Sequence, residues 1–257
     1  MLTPPEIARS LLAAGESKAR LPLGKMLLLA ILAGAYIALA GVGATAAAVT
    51  VESGSLAKLL SACVFPAGLS MVILAGSELF TGNCLMVMAL LERRITPAQL
   101  LRNWLTVYLG NAVGGAAVAA LAVYSHTASL FGDGLARSMV SIAESKAALG
   151  AGDAFLRGVL CNFLVCLAVW MAAASKRAEG KVIALFFPIL LFVLCGYEHC
   201  IANLYYLPAG AFAAAEYGME TTLTLAGCLK NLAAVTLGNL VGGAALGVGY
   251  RFAYLKE

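Results

Sequence analysis

The sequence has few charged residues and few groups that could carry out catalysis. Only 12% of its 257 residues are Asp, Glu, Lys or Arg, whereas soluble domains average about 25%. It has two histidines, His126 and His199, and seven cysteines without a Cys-x-x-Cys pair. These shortages exclude an ordinary soluble domain and argue against a disulfide scaffold, a metal site or a bound cofactor. No serine lies in a recognisable nucleophile turn, so we do not expect an enzyme.

Long apolar runs dominate the chain instead. Hydrophobic residues make up 62% of it, and a helix needs roughly 20 such residues to cross a bilayer. Six runs meet that length: Met26 to Val49, Leu59 to Leu91, Leu101 to Tyr124, Gly158 to Ala174, Val182 to Ala213 and Leu223 to Tyr250. We therefore predict an all-α integral membrane protein, with six transmembrane helices in a single membrane domain over residues 1–257. The N-terminus lacks the pattern of a secretory signal peptide.

The basic residues predict the orientation in the bilayer. Twelve of the 17 lysines and arginines fall at the N-terminus, the 2/3 and 4/5 connections and the C-terminus. They are Arg9, Lys18, Arg20, Lys25, Arg93, Arg94, Arg102, Lys176, Arg177, Lys181, Arg251 and Lys256. Because cytoplasmic loops are enriched in such residues, both termini are expected in the cytoplasm. The net charge of +4 therefore reflects topology and gives no case for a nucleic-acid partner.

The N-terminal segment has the pattern of an amphipathic helix. Ile7, Leu11 and Ala14 share one helical stripe, and most charged side chains between residues 4 and 20 lie off it. This favours a helix within residues 1–23 that lies along the membrane face or against a neighbouring subunit. A loose leader is the alternative.

Two halves of the chain carry the same motif. Asn103 is followed by Leu109-Gly110-Asn111-Ala112-Val113-Gly114-Gly115, and Asn231 is followed by Leu237-Gly238-Asn239-Leu240-Val241-Gly242-Gly243, at an offset of 128 residues. With three spans in each half, the halves must lie in opposite orientation. We predict inverted repeats over residues 24–125 and 154–254, separated by a polar connection.

The second and fifth spans each contain a helix break. Gly76-Ser77-Glu78 and Gly196-Tyr197-Glu198 place glycine and a carboxylate inside otherwise apolar runs, where a continuous helix is disfavoured. A helix that restarts at mid-membrane presents unpaired amides and a positive dipole end, so an anion is favoured there. Glu78 and Glu198 would repel an anion, so we expect them to support the loops by accepting amide hydrogen bonds or to be protonated by burial.

Several side chains near the breaks are candidates for a pore. His199, Thr81, Asn162 and Asn203 can supply neutral donors, and His199 can exchange a proton near neutral pH; a buried histidine bonded to a carbonyl is the structural alternative. Apolar side chains near the breaks could gate the pore by dewetting, or could simply pack against lipid. These are Phe65, Leu69, Leu79, Phe80 and Phe192.

Three segments resemble the formate/nitrite transporter family: Gly76-Ser77-Glu78-Leu79-Phe80-Thr81-Gly82-Asn83, Leu160-Cys161-Asn162-Phe163-Leu164-Val165-Cys166-Leu167-Ala168-Val169-Trp170 and Gly196-Tyr197-Glu198-His199-Cys200-Ile201-Ala202-Asn203. The resemblance implies a homopentamer of aquaporin-like protomers, each with its own pore. It also implies that His199 is central, with Thr81 and Asn162 around it. Leu79 and Phe80 would lie on a mobile loop, Phe65 and Phe192 would form constrictions, and Lys146 would attract the anion in the outer vestibule.

This family resemblance predicts transport of a small monovalent anion of a weak acid across a bacterial cytoplasmic membrane. The loop motifs look closer to nitrite and hydrosulfide channels, whereas Ile95-Thr96 and Asn103-Trp104-Leu105 look closer to formate channels. A proton-coupled secondary transporter of the same anions is the main alternative. A water or glycerol channel would carry paired Asn-Pro-Ala turns, which the sequence lacks.

Overall fold

The computed structural model describes residues 1–255, and every regular element within them is helical. Lys256, which was counted among the cytoplasmic cations, lies outside this range. The helices are α1 Pro4–Ala19, α2 Leu23–Ala48, α3 Gly54–Val64, α4 Pro66–Ala75, α5 Phe80–Asn83, α6 Val87–Leu91, α7 Pro97–Tyr124, α8 Gly134–Ala148, α9 Ala151–Ala173, α10 Ala178–Leu194, α11 Cys200–Glu216 and α12 Leu225–Tyr254. Short 3-10 turns occupy Cys84–Met86 and Thr127–Ser129.

The helices form a multi-pass membrane protein. Among residues 1–255, five stretches are long and apolar enough to cross a bilayer: Leu23–Ala48, Gly54–Ala75, Pro97–Tyr124, Ala151–Ala173 and Leu225–Tyr254. The remaining predicted crossing, the fifth along the chain, is divided between α10 and α11, which have 17 residues each. Neither reaches the roughly 20 residues of a full span, so this crossing consists of two half-helices.

Both predicted helix breaks are present. Gly76 and Gly196 adopt left-handed backbone angles, with φ of +79° and +69°, and only glycine does so without steric cost. Each is followed by extended chain, which ends where α5 begins after Leu79 and α11 begins after His199. We call residues 76–79 the first loop and residues 196–199 the second loop. Helices two and five of the six-span arrangement are therefore broken, as the sequence predicts.

The repeated glycines bring helices of each half into close contact. α2 packs along α7, and α9 packs along α12. A side chain at Gly114 would collide with the carbonyl of Ile31, and one at Gly242 would collide with the carbonyl of Val159. Small residues at these positions let the backbones approach closely, which is how membrane helices gain packing energy.

The connection between the halves contains a helix that the sequence analysis did not predict. The sequence predicts a polar connection over residues 125–155, but α8 occupies much of this segment and packs against α11 and α12. Its buried face includes Leu135, Met139 and Ala143, which pack beneath an otherwise polar surface. At the other end of the molecule, α1 packs against α6, α9 and α12. α8 packs with the start of α12 and α1 packs with its end, so α1 and α8 lie at opposite ends of the helix bundle.

Candidate functional site

Asn111 of α7 holds the first loop in place. Its Oδ1 accepts the backbone N–H of Phe80 at 3.0 Å, and its Nδ2 donates to the carbonyl oxygens of Ala30 and Glu78 at 2.7 and 2.9 Å. These bonds satisfy an amide at the start of α5, which has no partner within its own helix. A buried asparagine thus takes the place of water at the break.

Asn239 of α12 repeats this arrangement at the second loop. Its Oδ1 accepts the N–H of Cys200 at 2.9 Å, and its Nδ2 donates to the carbonyl oxygens of Gly158 and Glu198 at 2.8 and 2.9 Å. Irregular backbone is tolerated at membrane depth only where protein or a cavity satisfies it. The duplicated Gly-Asn motif therefore supports the two loops.

Each loop carboxylate is paired with a lysine and an asparagine. Glu78 accepts from Lys18 and from Asn83, both at 2.7 Å. The nitrogen of Asn83 also donates to the side-chain oxygen of Asn103 at 2.9 Å. The carboxylate is buried. We call these four residues the first support network.

The second support network consists of Glu198, Lys146, Asn203 and Asn231. Glu198 accepts from Lys146 at 2.9 and 3.1 Å and from Asn203 at 2.7 Å. Asn203 also donates to Asn231 at 2.8 Å. The donors to both carboxylates are therefore side chains on other elements. The loop amides that the sequence analysis expected are not the donors here.

This network accounts for two residues that the sequence analysis assigned to the pore. Asn203 uses both amide hydrogens within the network, on Glu198 and Asn231. Lys146 lies within contact distance of Glu198, and its ammonium also sits 5.3 Å from the ring centre of Tyr206. The structure thus places Asn203 as support for the second loop and gives Lys146 a carboxylate partner.

His199 closes the second loop and begins α11. Its Nδ1 accepts the backbone N–H of Ala202 at 3.1 Å, so this nitrogen carries no proton. The neutral ring therefore has its hydrogen on Nε2, which lies 3.0 Å from the hydroxyl of Thr81. Because Nε2–H can only donate, the Thr81 oxygen is the acceptor. Thr81 lies in α5, directly after the first loop, and His199 ends the second loop. Their contact therefore joins the two halves.

Asn162 lies beside this contact, and its amide nitrogen donates to two backbone carbonyls. Its Nδ2 donates to the carbonyl oxygens of Asn239 at 2.7 Å and Thr81 at 3.2 Å. The side chain is completely buried. Asn162 therefore fixes the backbone of α5 against α12.

A cavity of about 530 Å³ opens on the side of His199 that faces α8. We call it the α8 cavity. Three cations line it, Lys58, Lys146 and Arg157, against a single carboxylate, Glu198. Within residues 1–255, Lys58 and Arg157 take part in no ion pair. The cavity therefore has a positive balance that can concentrate anions. Lys58 and Arg157 are not among the candidates chosen from the sequence, although both lie on the predicted outer side.

Two aromatic rings line this cavity close to His199. Phe65 and Phe192 meet edge to face with 5.7 Å between ring centres, and Phe192 stacks on His199 at 5.8 Å. Both rings line the cavity and both are buried. This arrangement places two apolar rings beside the histidine on the cavity wall.

The other candidate gate residues lie in the same buried cluster. Leu69, Leu79 and Phe80 belong to the apolar core that also contains Phe65 and Phe192. The ring of Phe80 packs edge to face against Trp104 at 6.4 Å and Tyr108 at 5.1 Å. Phe80 thus packs against two aromatic rings of α7, while Leu79 is the last residue of the first loop.

Comparisons with known proteins agree over nearly the whole chain. A family model described as "Formate/nitrite transporter" matches residues 5–253. A probable formate transporter of Methanothermobacter thermautotrophicus is 38% identical over 99% of this chain and 98% of its own. A formate channel of Haemophilus influenzae is 39% identical over 86% of this chain and 83% of its own.

Solved structures show the same arrangement of helices. One described as an FNT family ion channel matches with a TM-score of 0.87 at 32% identity, covering 96% of this chain and 98% of its own. A pentameric formate channel with formate bound matches with a TM-score of 0.80 at 33% identity, over 91% and 98%.

Proposed function

This chain belongs to the formate/nitrite transporter family, and we propose that it moves a small monovalent anion of a weak acid, with formate as the first candidate, across a bacterial cytoplasmic membrane. Members of this family are channels and transporters, so the chain is not an enzyme. Formate leads the candidates because the relatives carry formate in their names. Nitrite and hydrosulfide remain to be tested beside it.

The observation that carries the proposal is the position of His199 at the base of a cation-lined cavity. An anion attracted by Lys58 and Arg157 would lose water between Phe65 and Phe192. It would then meet the Nε2–H of His199, which can leave the Thr81 oxygen and donate to the anion. A donor at the narrowest point lowers the cost of dehydration, which is how pores select small ions.

The geometry of His199 bears on whether a proton moves with the anion. The neutral ring already holds its one hydrogen on Nε2, and giving it up would leave an imidazole anion. To act as a proton donor the ring must first gain a proton on Nδ1, and Ala202 would then lose its hydrogen bond. We therefore propose that His199 acts first as a neutral donor in a channel. Proton-coupled transport of the same anion is the second candidate.

The oligomeric state and the orientation of the protein in the membrane are also part of the proposed function. We propose a homopentamer with one conduction path in each protomer, because a structural neighbour is a pentameric formate channel. Both termini would be cytoplasmic, as the lysine and arginine distribution predicts. The α8 cavity would then open to the outside.

The test is anion flux into liposomes that contain the purified protein. Formate, nitrite, hydrosulfide, chloride and nitrate are supplied in turn at equal concentration, with empty liposomes as the control. We expect flux of the weak-acid anions to exceed that of chloride. Equal, background-level flux for all five anions would refute the proposal. Uptake of formate against its gradient when only a proton gradient is imposed would favour the coupled transporter.

A further inference from the structure

We propose that this protein has a second anion-binding position at the entrance of the α8 cavity, formed by Arg137, Ser138 and Ser141 of α8 and by Thr50 after α2. This inference rests on the proposed function and names an additional site for the same class of anion. The anion would be captured there before it reaches Phe65 and Phe192.

The position is a separate cavity that adjoins the α8 cavity. We call it the side cavity; its volume is about 380 Å³, and it is lined by Val49, Thr50, Phe131, Gly134, Arg137, Ser138 and Ser141. Val49, Ser138 and Ser141 also line the α8 cavity. The two cavities therefore share a wall, and an anion in the side cavity is adjacent to the route towards His199.

Arg137 provides the charge in the side cavity. One guanidinium nitrogen donates to the carbonyl oxygen of Gly132 at 2.7 Å, which holds the side chain near the cavity. A carbonyl does not neutralise the positive charge, and among residues 1–255 no carboxylate lies within ion-pair distance of Arg137. Among the described residues that line the side cavity there is no Asp or Glu. The guanidinium has four further N–H groups available for a ligand.

Hydroxyl groups surround this charge and continue along α8. Ser138, Ser141 and Ser145 are spaced by three and four residues, so they share one face of the helix. Ser138 and Ser141 line the side cavity, and all three line the α8 cavity. A monovalent anion could accept hydrogen bonds from these hydroxyls in turn, which gives it a polar surface from the entrance inwards.

The size of the side cavity favours capture of a hydrated anion. A water molecule takes about 30 Å³ of liquid, so the cavity has room for a small anion with much of its water. Binding without dehydration is weak and reversible, which suits an entry position. Dehydration would follow only at the aromatic narrowing.

This position also explains how capture can occur although Lys146 is engaged. The ammonium of Lys146 lies 2.9 Å from a carboxylate oxygen of Glu198, so its field is largely cancelled at a distance. Arg137 has no such carboxylate partner in the described part of the chain, and it is exposed whereas Lys146 is partly buried. The structure thus assigns first capture to a residue that the sequence alone did not single out.

The test uses Arg137→Gln in liposomes, with initial formate flux measured against formate concentration. The protein is given a C-terminal affinity tag, and vesicles with the tag inside are selected. The start of α12 packs with α8 and its end packs with α1, so these vesicles expose the α8 side. At an ionic strength of about 0.01 M, where the Debye length is about 30 Å, we expect the half-saturating concentration to rise roughly 3- to 10-fold, with maximal flux little changed. At about 1 M salt the rise should nearly vanish.

Two control variants separate this site from general effects. Lys25→Gln removes an exposed cation at the start of α2, at the opposite end from Thr50, and should leave the half-saturating concentration unchanged. Arg137→Lys keeps the charge and should retain most of the wild-type behaviour at low salt. If the wild-type protein transports formate and Arg137→Gln has the same half-saturating concentration, the second anion-binding position is refuted and the proposed function stands. Absence of transport in the wild-type protein would instead refute the proposed function.

Discussion

Replacing Lys146 should affect stability more than anion attraction. Glu198 is only 6% exposed, and Lys146 supplies two of its three hydrogen bonds at 2.9 and 3.1 Å. Lys146→Met keeps the aliphatic length of the side chain but leaves the carboxylate with Asn203 as its remaining donor. Removing one partner of a buried ion pair costs about 3–5 kcal/mol. The second loop should therefore lose order around His199.

The assay compares thermal unfolding and formate flux for Lys146→Met, Glu198→Gln and the double variant. For domains of 150–250 residues, a loss of about 3–5 kcal/mol corresponds to a Tm lower by roughly 6–20 °C. The double variant should recover most of this loss, because a neutral amide no longer needs a cation and can still accept from Asn203. Lys18→Met is the matched control at the first loop. Lys18 is 29% exposed against 15% for Lys146, so its loss should be smaller.

A different pattern would refute this reasoning. If Lys146→Met unfolds at the wild-type temperature, and its flux falls at low salt but returns at high salt, Lys146 acts as a charge that concentrates anions. That is the role which the family resemblance implies. The pairing with Glu198 would then contribute little to the loop.

Three further predictions follow from the same contacts. His199→Asn should retain the hydrogen bond to the N–H of Ala202 because asparagine is a good N-cap, whereas His199→Leu should lower the free energy of unfolding by about 0.5–2 kcal/mol. Both variants should reduce formate flux. A variant with wild-type flux would exclude His199 as the central donor. Phe80→Ala should lower the free energy of unfolding by about 3–5 kcal/mol and Phe80→Leu by less, measured by thermal unfolding; an unchanged Tm together with a water leak would instead make Phe80 a gate. Glu144 accepts the N–H of Thr222, and this hydrogen bond lowers the pKa of the Glu144 carboxyl below 4.5. Residues 217–224 should therefore be protected from proteolysis above pH 4.5 and lose that protection as the pH falls below this value. Glu144→Gln should remove the pH dependence.

The sequence predicts those features that depend on local composition. The spans follow from apolar length, and the breaks follow from Gly76 and Gly196 beside a carboxylate. Helix α8 was missed because its segment is polar enough to be treated as connection. A signal was available, since Lys18 and Lys146 are separated by the same 128 residues as Asn103 and Asn231.

The hydrogen-bond and ion-pair partner of each polar side chain could not be predicted from the sequence. Asn203 and Asn162 are donors by residue type, but whether a donor faces a pore depends on which acceptors in the folded chain already use it. Lys146 reaches Glu198 from 52 residues away, and Asn162 reaches Thr81 from 81 residues away. Only the packing of α8 and α9 around the loops decides these pairs. The same packing places Lys58 and Arg157 on the cavity wall.

The two loops share a framework and differ at the residue that ends each of them. Asn111 and Asn239 make matching bonds, and so do the two support networks, so these residues account for the fold of both loops. The first loop ends in Leu79, whereas the second ends in His199. On the proposed function, this difference gives the path one polar donor at its centre, with apolar surface on the other loop. A pore must bind its ion strongly enough for entry and weakly enough for release, and a single donor at the narrowing meets both requirements better than a matched pair would.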